Sequence, residues 1–346
     1  MAYTTIDKPS DYFNTKLYTG NGSTQTISSV GFQPDWTWIK HRDGATAHMI
    51  FDSVRGALYR IQSNSGNTSV SAANTLTAWN SDGFALGTEN DTNGNTRLFA
   101  SWNWLAGTSF SNSAGANGAD LASAGSYNRD AGFSIVTWTG NATDDQQIYH
   151  GLNAVPQMML VKNTTNGNNE SWKVYHQAIG NTHALTLDTT AAKSDNVEWW
   201  SDETPTSTVF TVGRQDATNN NSMIAYCFAP KQGYSKFGSY TGNGNADGTF
   251  VYTGFLPAFV IIKATSGTEN WRMYDNKRNG FNVDNEQLFP NLNNAEASDV
   301  DLDILSNGFK CRRNSGGFNN SGTTYIYMAF AENPFTTSTG VPATAR

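Results

Sequence analysis

One pattern, written three times, constrains the fold of this chain more than any other feature in it. Tyr18-Thr19-Gly20-Asn21-Gly22 is followed by Gly31-Phe32-Gln33-Pro34-Asp35-Trp36-Thr37-Trp38-Ile39-Lys40. Trp138-Thr139-Gly140-Asn141-Ala142 is followed by Gly151-Leu152 and then Pro156-Gln157-Met158-Met159-Leu160-Val161-Lys162. Tyr240-Thr241-Gly242-Asn243-Gly244 is followed by Gly254-Phe255-Leu256-Pro257-Ala258-Phe259-Val260-Ile261-Ile262-Lys263. In every copy the proline stands six residues before the lysine. Self-similarity at long, regular spacing marks a structural unit used more than once.

The landmarks after the motif recur too. Met49-Ile50-Phe51-Asp52, Trp172-Lys173-Val174-Tyr175-His176 and Trp271-Arg272-Met273-Tyr274-Asp275 hold equivalent places, and each copy closes on an apolar run. The chain therefore reads as an N-terminal arm over residues 1–16 and a first repeat over 17–105. An Ala/Gly/Ser-rich linker or loop follows over 106–132. A second repeat covers 133–229, a third 230–335, and a polar tail 336–346. Short alternating strands between turn signals predict an all-β protein of three tandem, related antiparallel β-sandwich or jelly-roll-like repeats. On the motif strand Trp36 and Trp38 share one face and Thr37 and Ile39 the other, and the other copies are apolar on both faces. Such a strand has something packed on each side. One side is the repeat's own core; the other is a neighbouring repeat, a helix or loop, or a second subunit. Close association follows, and with it an expectation of a homo-oligomer, a trimer favoured.

Composition narrows the class. Charged residues are only 15%, with 38% hydrophobic, 12% aromatic and 32 glycines, a balance that disfavours helices. A net charge of −7 gives little purchase on a phosphate backbone, so nucleic acid is not an expected partner. No run is long enough to insert in a membrane, and the start has no apolar signal-type segment. Cys227 and Cys311 fall in different repeats and read as free, buried thiols.

No constellation points to catalysis, and the chain reads as a non-enzyme. His41, His48, His150, His176 and His183 are scattered, and His176 falls where the other copies carry Asp52 and Asp275, which suggests a structural polar role. Asp299-Val300-Asp301-Leu302-Asp303-Ile304 reads as a half-exposed strand with its acids outward. Its alternative, a calcium site, lacks the glycine and glutamate of an EF-hand loop, so no cofactor is expected. Glu198, Asp202 and Glu203 are carboxylates that a glycosidase could use, though nothing singles them out. If the segment around Trp199 and Trp200 is extended, the two rings point to opposite faces and only one enters the core. The other, beside Asp202, would be an exposed plate suited to a sugar ring; the alternative is that it packs under a loop or a subunit.

The opening Tyr12-Phe13-Asn14-Thr15-Lys16-Leu17-Tyr18-Thr19-Gly20-Asn21-Gly22, the Gly31-Phe32-Gln33-Pro34-Asp35 turn and Ser81-Asp82-Gly83-Phe84 resemble a family of uncharacterised repeat domains. So does the ending Gly340-Val341-Pro342-Ala343-Thr344-Ala345-Arg346. These domains are common in tailed bacteriophages, especially marine ones, in tail-fibre-like and other virion surface proteins. Repeat two departs from the pattern at Ala142 and at Asp202-Glu203-Thr204-Pro205. The resemblance implies a structural protein of the virion surface, assembled in the host cytoplasm and acting outside it, beside other virion structural proteins. A tail fibre or tail tip contacting host surface polysaccharide is the first expectation. A capsid decoration protein without a receptor role, of cement or head-fibre type, and a polysaccharide-cleaving tailspike are the alternatives.

Overall fold

The computed structural model describes residues 2–165 and 169–344; Met1 of the arm and Ala345 and Arg346 of the tail lie outside them. Glycine- and asparagine-rich joints cut the chain into short extended runs, which pair antiparallel throughout. Unit one contains β1 (Phe13–Thr19), β2 (Gln25–Ile27), β3 (Trp36–His41), β4 (Met49–Asp52), β5 (Tyr59–Gln62), β6 (Val70–Ser71), β7 (Leu76–Asn80), β8 (Gly83–Leu86), the helical turn α1 (Asn90–Asn93) and β9 (Leu98–Trp104). Its sheets run β1-β9-β3-β4-β5-β6 and β2-β8-β7.

β10 (Thr108–Asn112) and β11 (Ser123–Asn128) come next, before β12 (Phe133–Asn141), β13 (Gln146–Tyr149), β14 (Met158–Asn163), β15 (Lys173–His176), β16 (His183–Thr186) and β17 (Ser194–Asp195). Unit two ends with α2 (Val197–Trp200), β18 (Val209–Val212), α3 (Asp216–Asn219) and β19 (Asn220–Phe228). Its large sheet runs β10-β11-β12-β19-β14-β15-β16-β17, and β13 pairs with β18. Unit three consists of β20 (Ser235–Thr241), β21 (Phe250–Tyr252), β22 (Phe255–Ala264), β23 (Arg272–Asp275), β24 (Asp284–Gln287), β25 (Ala297–Leu305), β26 (Gly308–Cys311) and β27 (Thr324–Pro334), in sheets β20-β27-β22-β23 and β21-β26-β25-β24. The same order therefore recurs: first strand, last strand, lysine strand, next strand.

The recurring Thr-Gly-Asn explains itself in this setting. A Cβ on Gly20, Gly140 or Gly242 would stand 2.2, 2.3 or 2.4 Å from the main chain at Gly94, Asn219 or Asn320. That close approach is held by a buried asparagine: Asn93 Oδ1 accepts the Asn21 N–H at 3.0 Å and Asn319 Oδ1 that of Asn243 at 3.1 Å. In unit two Asn219 Nδ2 donates to the Thr143 carbonyl at 2.8 Å. The next residue turns left-handed, with φ 68° at Gly22 and 70° at Gly244, and Ala142 takes φ 54° without glycine's freedom.

The two-faced motif strand finds both its partners inside the chain. Ile39, Met159 and Val161, and Val260 and Ile262 each point into a core of their own unit. Trp36 and Trp38, Met158 and Leu160, and Phe259 and Ile261 point into one further cluster shared by all three units. There Trp36 stacks on Tyr226 at 4.6 Å, Trp104 meets Phe259 edge-on at 5.6 Å, and Phe228 meets Phe330 at 6.0 Å. Aromatic pairs of this kind contribute about 0.5–1.5 kcal/mol each beyond their area. The faces that suggested a second subunit are thus covered by neighbouring units.

Three expectations are corrected. Residues 106–132 are not a linker: small side chains let β10 and β11 form a hairpin that widens the unit-two sheet, with Ser123 and Ser126 buried. The arm is shorter than residues 1–16, because β1 begins at Phe13, and what precedes it is docked, with Ile6 buried and the Thr4 hydroxyl on the Gln232 carbonyl at 2.8 Å. On β25 the acids do not all face outward. Asp301 is buried under Tyr274 Oη at 2.6 Å and Arg313 Nε at 2.7 Å, while Val300 is 48% exposed.

Candidate functional site

Several buried ionisable groups of this chain lie where the units meet. Lys40, Lys162 and Lys263 end the motif strands and are fully buried. Each gives its ammonium to main-chain carbonyls, one of them from another unit: Lys162 to Gly66 at 2.6 Å, Lys263 to Thr190 at 3.3 Å, Lys40 to Asn293 at 3.4 Å. Unit two thus reaches unit one, unit three reaches unit two, and unit one reaches unit three, closing a ring. Burial lowers all three lysine pKa values to about 8.

A second ring repeats the geometry. Trp172 Nε1 donates to the Gln62 carbonyl at 2.8 Å and Trp271 Nε1 to that of Thr186 at 2.9 Å. His48 holds the equivalent place in unit one. Its Nδ1 accepts the Trp38 indole at 2.9 Å, burial keeps it neutral, and the Phe289 carbonyl of unit three opposes that shift.

The third ring shows linked variation. Tyr226 Oη donates to Asp52 Oδ2 at 2.8 Å, and Trp102 Nε1 to Asp275 Oδ2 at 3.0 Å. Arg55 and Arg278, three residues on, complete the pairs at 2.6 Å each. Between units two and three the donor's place is taken by Met328, which has no proton to give, and the arginine's by Ile179. The acid there is replaced by His176, whose Nδ1 accepts the Ala178 N–H at 3.1 Å, leaving Nε2 to face the Tyr327 carbonyl at 3.3 Å. Burial lowers the His176 pKa to about 4. His176 is therefore a structural residue, as its alignment with the aspartates suggests, and one side of a hydrogen bond has changed together with the other. His150 is likewise buried, its pKa lowered to about 4 by burial, with Nε2 on the Thr206 carbonyl at 3.2 Å. Cys227 and Cys311 are buried free thiols, and burial pushes the latter up to about 12.

The tryptophan plate is the expectation the structure overturns. The segment is helical rather than extended: Asn196 caps α2 by accepting the Glu198 N–H at 2.9 Å. A helical turn sends neighbouring side chains about 100° apart, not to opposite faces. Trp199 and Trp200 are both buried in the unit-two core, with Trp200 Nε1 on the His183 carbonyl at 3.1 Å and the Lys173 ammonium 4.6 Å from the Trp199 ring. Asp202 follows in a left-handed turn, its carbonyl taken by the Asn181 amide. These residues are brought together, but as packing. Glu198 is paired with Arg214 and Gln215, which hold its pKa below the usual value. The acids of β25 face arginines: Asp299 with Arg313 at 2.6 Å, Asp303 with Arg312 at 3.1 Å. Among the described residues no group of three or more His, Cys, Asp or Glu side chains could hold a metal ion.

Two of the openings to solvent are shallow and polar. A cleft of about 450 Å³ lies across the unit-two sheet, where the exposed Ser111, Thr139 and Ser222 present hydroxyls beside half-buried Thr137, with Arg55 of unit one at its border. Sequence reasoning missed this cleft because one of its walls, with Ser111 and Ala124, comes from the hairpin read as a linker. A smaller pocket of about 360 Å³ in unit one is lined by His41 and Arg97, with Asp43 Oδ1 at 2.8 Å from His41 Nε2. Such surfaces offer hydrogen bonds to hydroxylated ligands.

One family model, describing a domain of unknown function (DUF7483), matches residues 8–334, nearly the whole chain. No curated protein and no solved structure matches it.

Proposed function

We propose that this chain, which belongs to the DUF7483 family, is a structural component of a bacteriophage virion surface. It is of the tail-fibre or tail-tip kind, assembled in the host cytoplasm and acting outside it in contact with host glycans. One observation carries the reading: a set of buried ionisable groups is engaged in holding three sandwiches as one body. Lys40, Lys162, Lys263, His176, Asp52 and Asp275 all bridge units. The resemblance of its motifs to phage virion domains supplies the setting. Glycan contact falls to the hydroxyl-lined cleft of unit two, with weak contacts multiplied by the copies on a particle.

A capsid decoration role is the second reading, favoured by exposed Phe250 and Tyr252 on β21, which suit contact with another virion protein. Association of whole chains, the trimer included, would use faces other than the motif strands. A tailspike activity would need carboxylates other than Glu198, whose oxygens are taken.

The test is titration of the purified protein with host-envelope polysaccharide. Saturable binding that weakens in Thr139→Ala with Ser222→Ala supports the fibre reading and its site. No binding to any host material, with attachment to fibreless capsids, overturns it in favour of decoration.

A further inference from the structure

Units two and three share a topology, and one difference between them points to a partner. In unit two the groove between the edges of β12 and β13 is filled by the β10–β11 hairpin. β11 pairs with β12 from Ser123 opposite Trp138 to Asn128 opposite Phe133, and Leu121 bridges to Ile148 of β13. The Asp120 carboxylate accepts the Gln147 N–H at 2.9 Å, and the Ser123 hydroxyl donates to the Tyr149 carbonyl at 3.0 Å. Phe110 covers the Tyr149 ring edge-on at 5.5 Å.

Among the described residues, the same two edges of unit three stand without a covering strand. β20 is outermost in one sheet and β21 in the other, and a groove of about 520 Å³ lies between them. Phe250 and Tyr252, in the places of Gln147 and Tyr149, are 44% and 49% exposed. Two side chains occupy the polar positions that the hairpin occupies in unit two. Lys236 Nζ donates to the Tyr252 carbonyl at 2.8 Å, as Ser123 does to Tyr149, and lies 5.2 Å from the Tyr252 ring. The Gln177 amide donates to the Phe237 carbonyl at 2.9 Å, at the edge position where β11 meets Ile135. By the alternation of an antiparallel ladder, the N–H and C=O of Ser239 point out of the sheet as the Phe237 carbonyl does. An open edge beside uncovered aromatic rings is a template for another strand.

We propose that this groove docks an extended segment of another polypeptide, added antiparallel to β20 as β11 is added to β12. The hairpin of unit two specifies its chemistry: small side chains toward β20, an aromatic ring over Tyr252, and a carboxylate near the Phe250 N–H and the Lys236 ammonium. Unit one offers no equivalent, because Thr26 and Ser28 stand where the aromatic residues would be and Asn14 spans to the Val30 carbonyl at 2.9 Å. The inference stands on this comparison between units and does not depend on the virion reading.

The probe is a fluorescent synthetic peptide of residues 107–129 of this chain, titrated into the full-length protein, whose own segment stays in unit two. Saturable binding is expected below about 1 mM, with Tyr252→Ala and Ser239→Pro each weakening it by about tenfold or more. Ser239→Pro spares the β20–β27 ladder, since the N–H it removes faces away from β27, and proline is tolerated at such an edge. Hydrogen exchange on the complex is expected to protect residues 235–241 and 250–252. Absence of saturation, binding untouched by either substitution, or protection elsewhere overturns the proposal. So does a host polysaccharide that protects β20 and β21 where the peptide does not, which would make the groove a carbohydrate site.

Discussion

The linked change at the interface of units two and three makes a quantitative prediction. His176→Asp would place at that interface the acid that units one and three carry, without its partners. The Ala178 N–H still serves one oxygen, but Met328 offers no proton and Ile179 no charge to the other. A buried carboxylate left unpaired costs about 3–5 kcal/mol. For 346 residues the unfolding entropy at the midpoint is about 0.7 kcal/mol per kelvin, so the variant should melt about 4–7 °C lower. Met328→Tyr would restore the hydroxyl that Tyr226 aims at Asp52, and Ile179→Arg the guanidinium of Arg55. Each alone buries a polar group beside His176 and should itself destabilise, by about 1–3 kcal/mol. The triple variant should therefore be more stable than the sum of the three single effects by about 2 kcal/mol or more. Calorimetry of the three singles and the triple measures this directly. Additivity within about 0.5 kcal/mol would refute the claim that these positions form one paired contact between units.

Two further predictions follow from the same accounting of buried groups. His150 and His176 have folded pKa values near 4, below the unfolded value of about 6.5, so the unfolded chain takes up their protons first. Stability should fall as pH drops from 6.5 to 4, by about 3 kcal/mol per histidine, and denaturant titrations across that window check it. The buried lysines act at the other end: the folded protein releases their protons near pH 8, ahead of the unfolded chain, so stability should rise from pH 8 toward 10. Ala142→Gly should stabilise by about 0.5–1 kcal/mol, because φ 54° costs alanine more than glycine's extra chain entropy takes back. A lower melting temperature in that variant would show that the turn is not strained.

Much of the fold was readable because alternation in a strand is a rigid code. Trp36 and Trp38 against Thr37 and Ile39 declared two buried faces, and the alignment of His176 with two aspartates declared a structural histidine. The identity of the second neighbour was not readable, since an apolar face says only that it is covered. Trp199 and Trp200 misled because a two-residue apolar run fits a strand and a helical turn alike; the Asn196 cap decides it, and only its contact with Glu198 reveals the cap. Residues 106–132 misled for a different reason. Small side chains are what a flexible loop contains, and also what a strand needs to fit between two closely spaced sheet edges. Asp301 shows the limit of alternation, which breaks where Tyr274, Arg272 and Arg313 supply enough donors to sink a charge.

The rings have an order in time as well as in space. Two of the three junctions join units that are neighbours along the chain, but the third joins the first to the last. Trp102 needs Asp275, Lys40 needs the Asn293 carbonyl, and Arg42 needs Glu296 at 2.7 Å. A ribosome delivers the first unit long before these partners exist, so its apolar face waits uncovered while the rest is made. The body is a clasp that shuts only when its far end arrives, and a chain cut short after unit two would be left with two sticky faces.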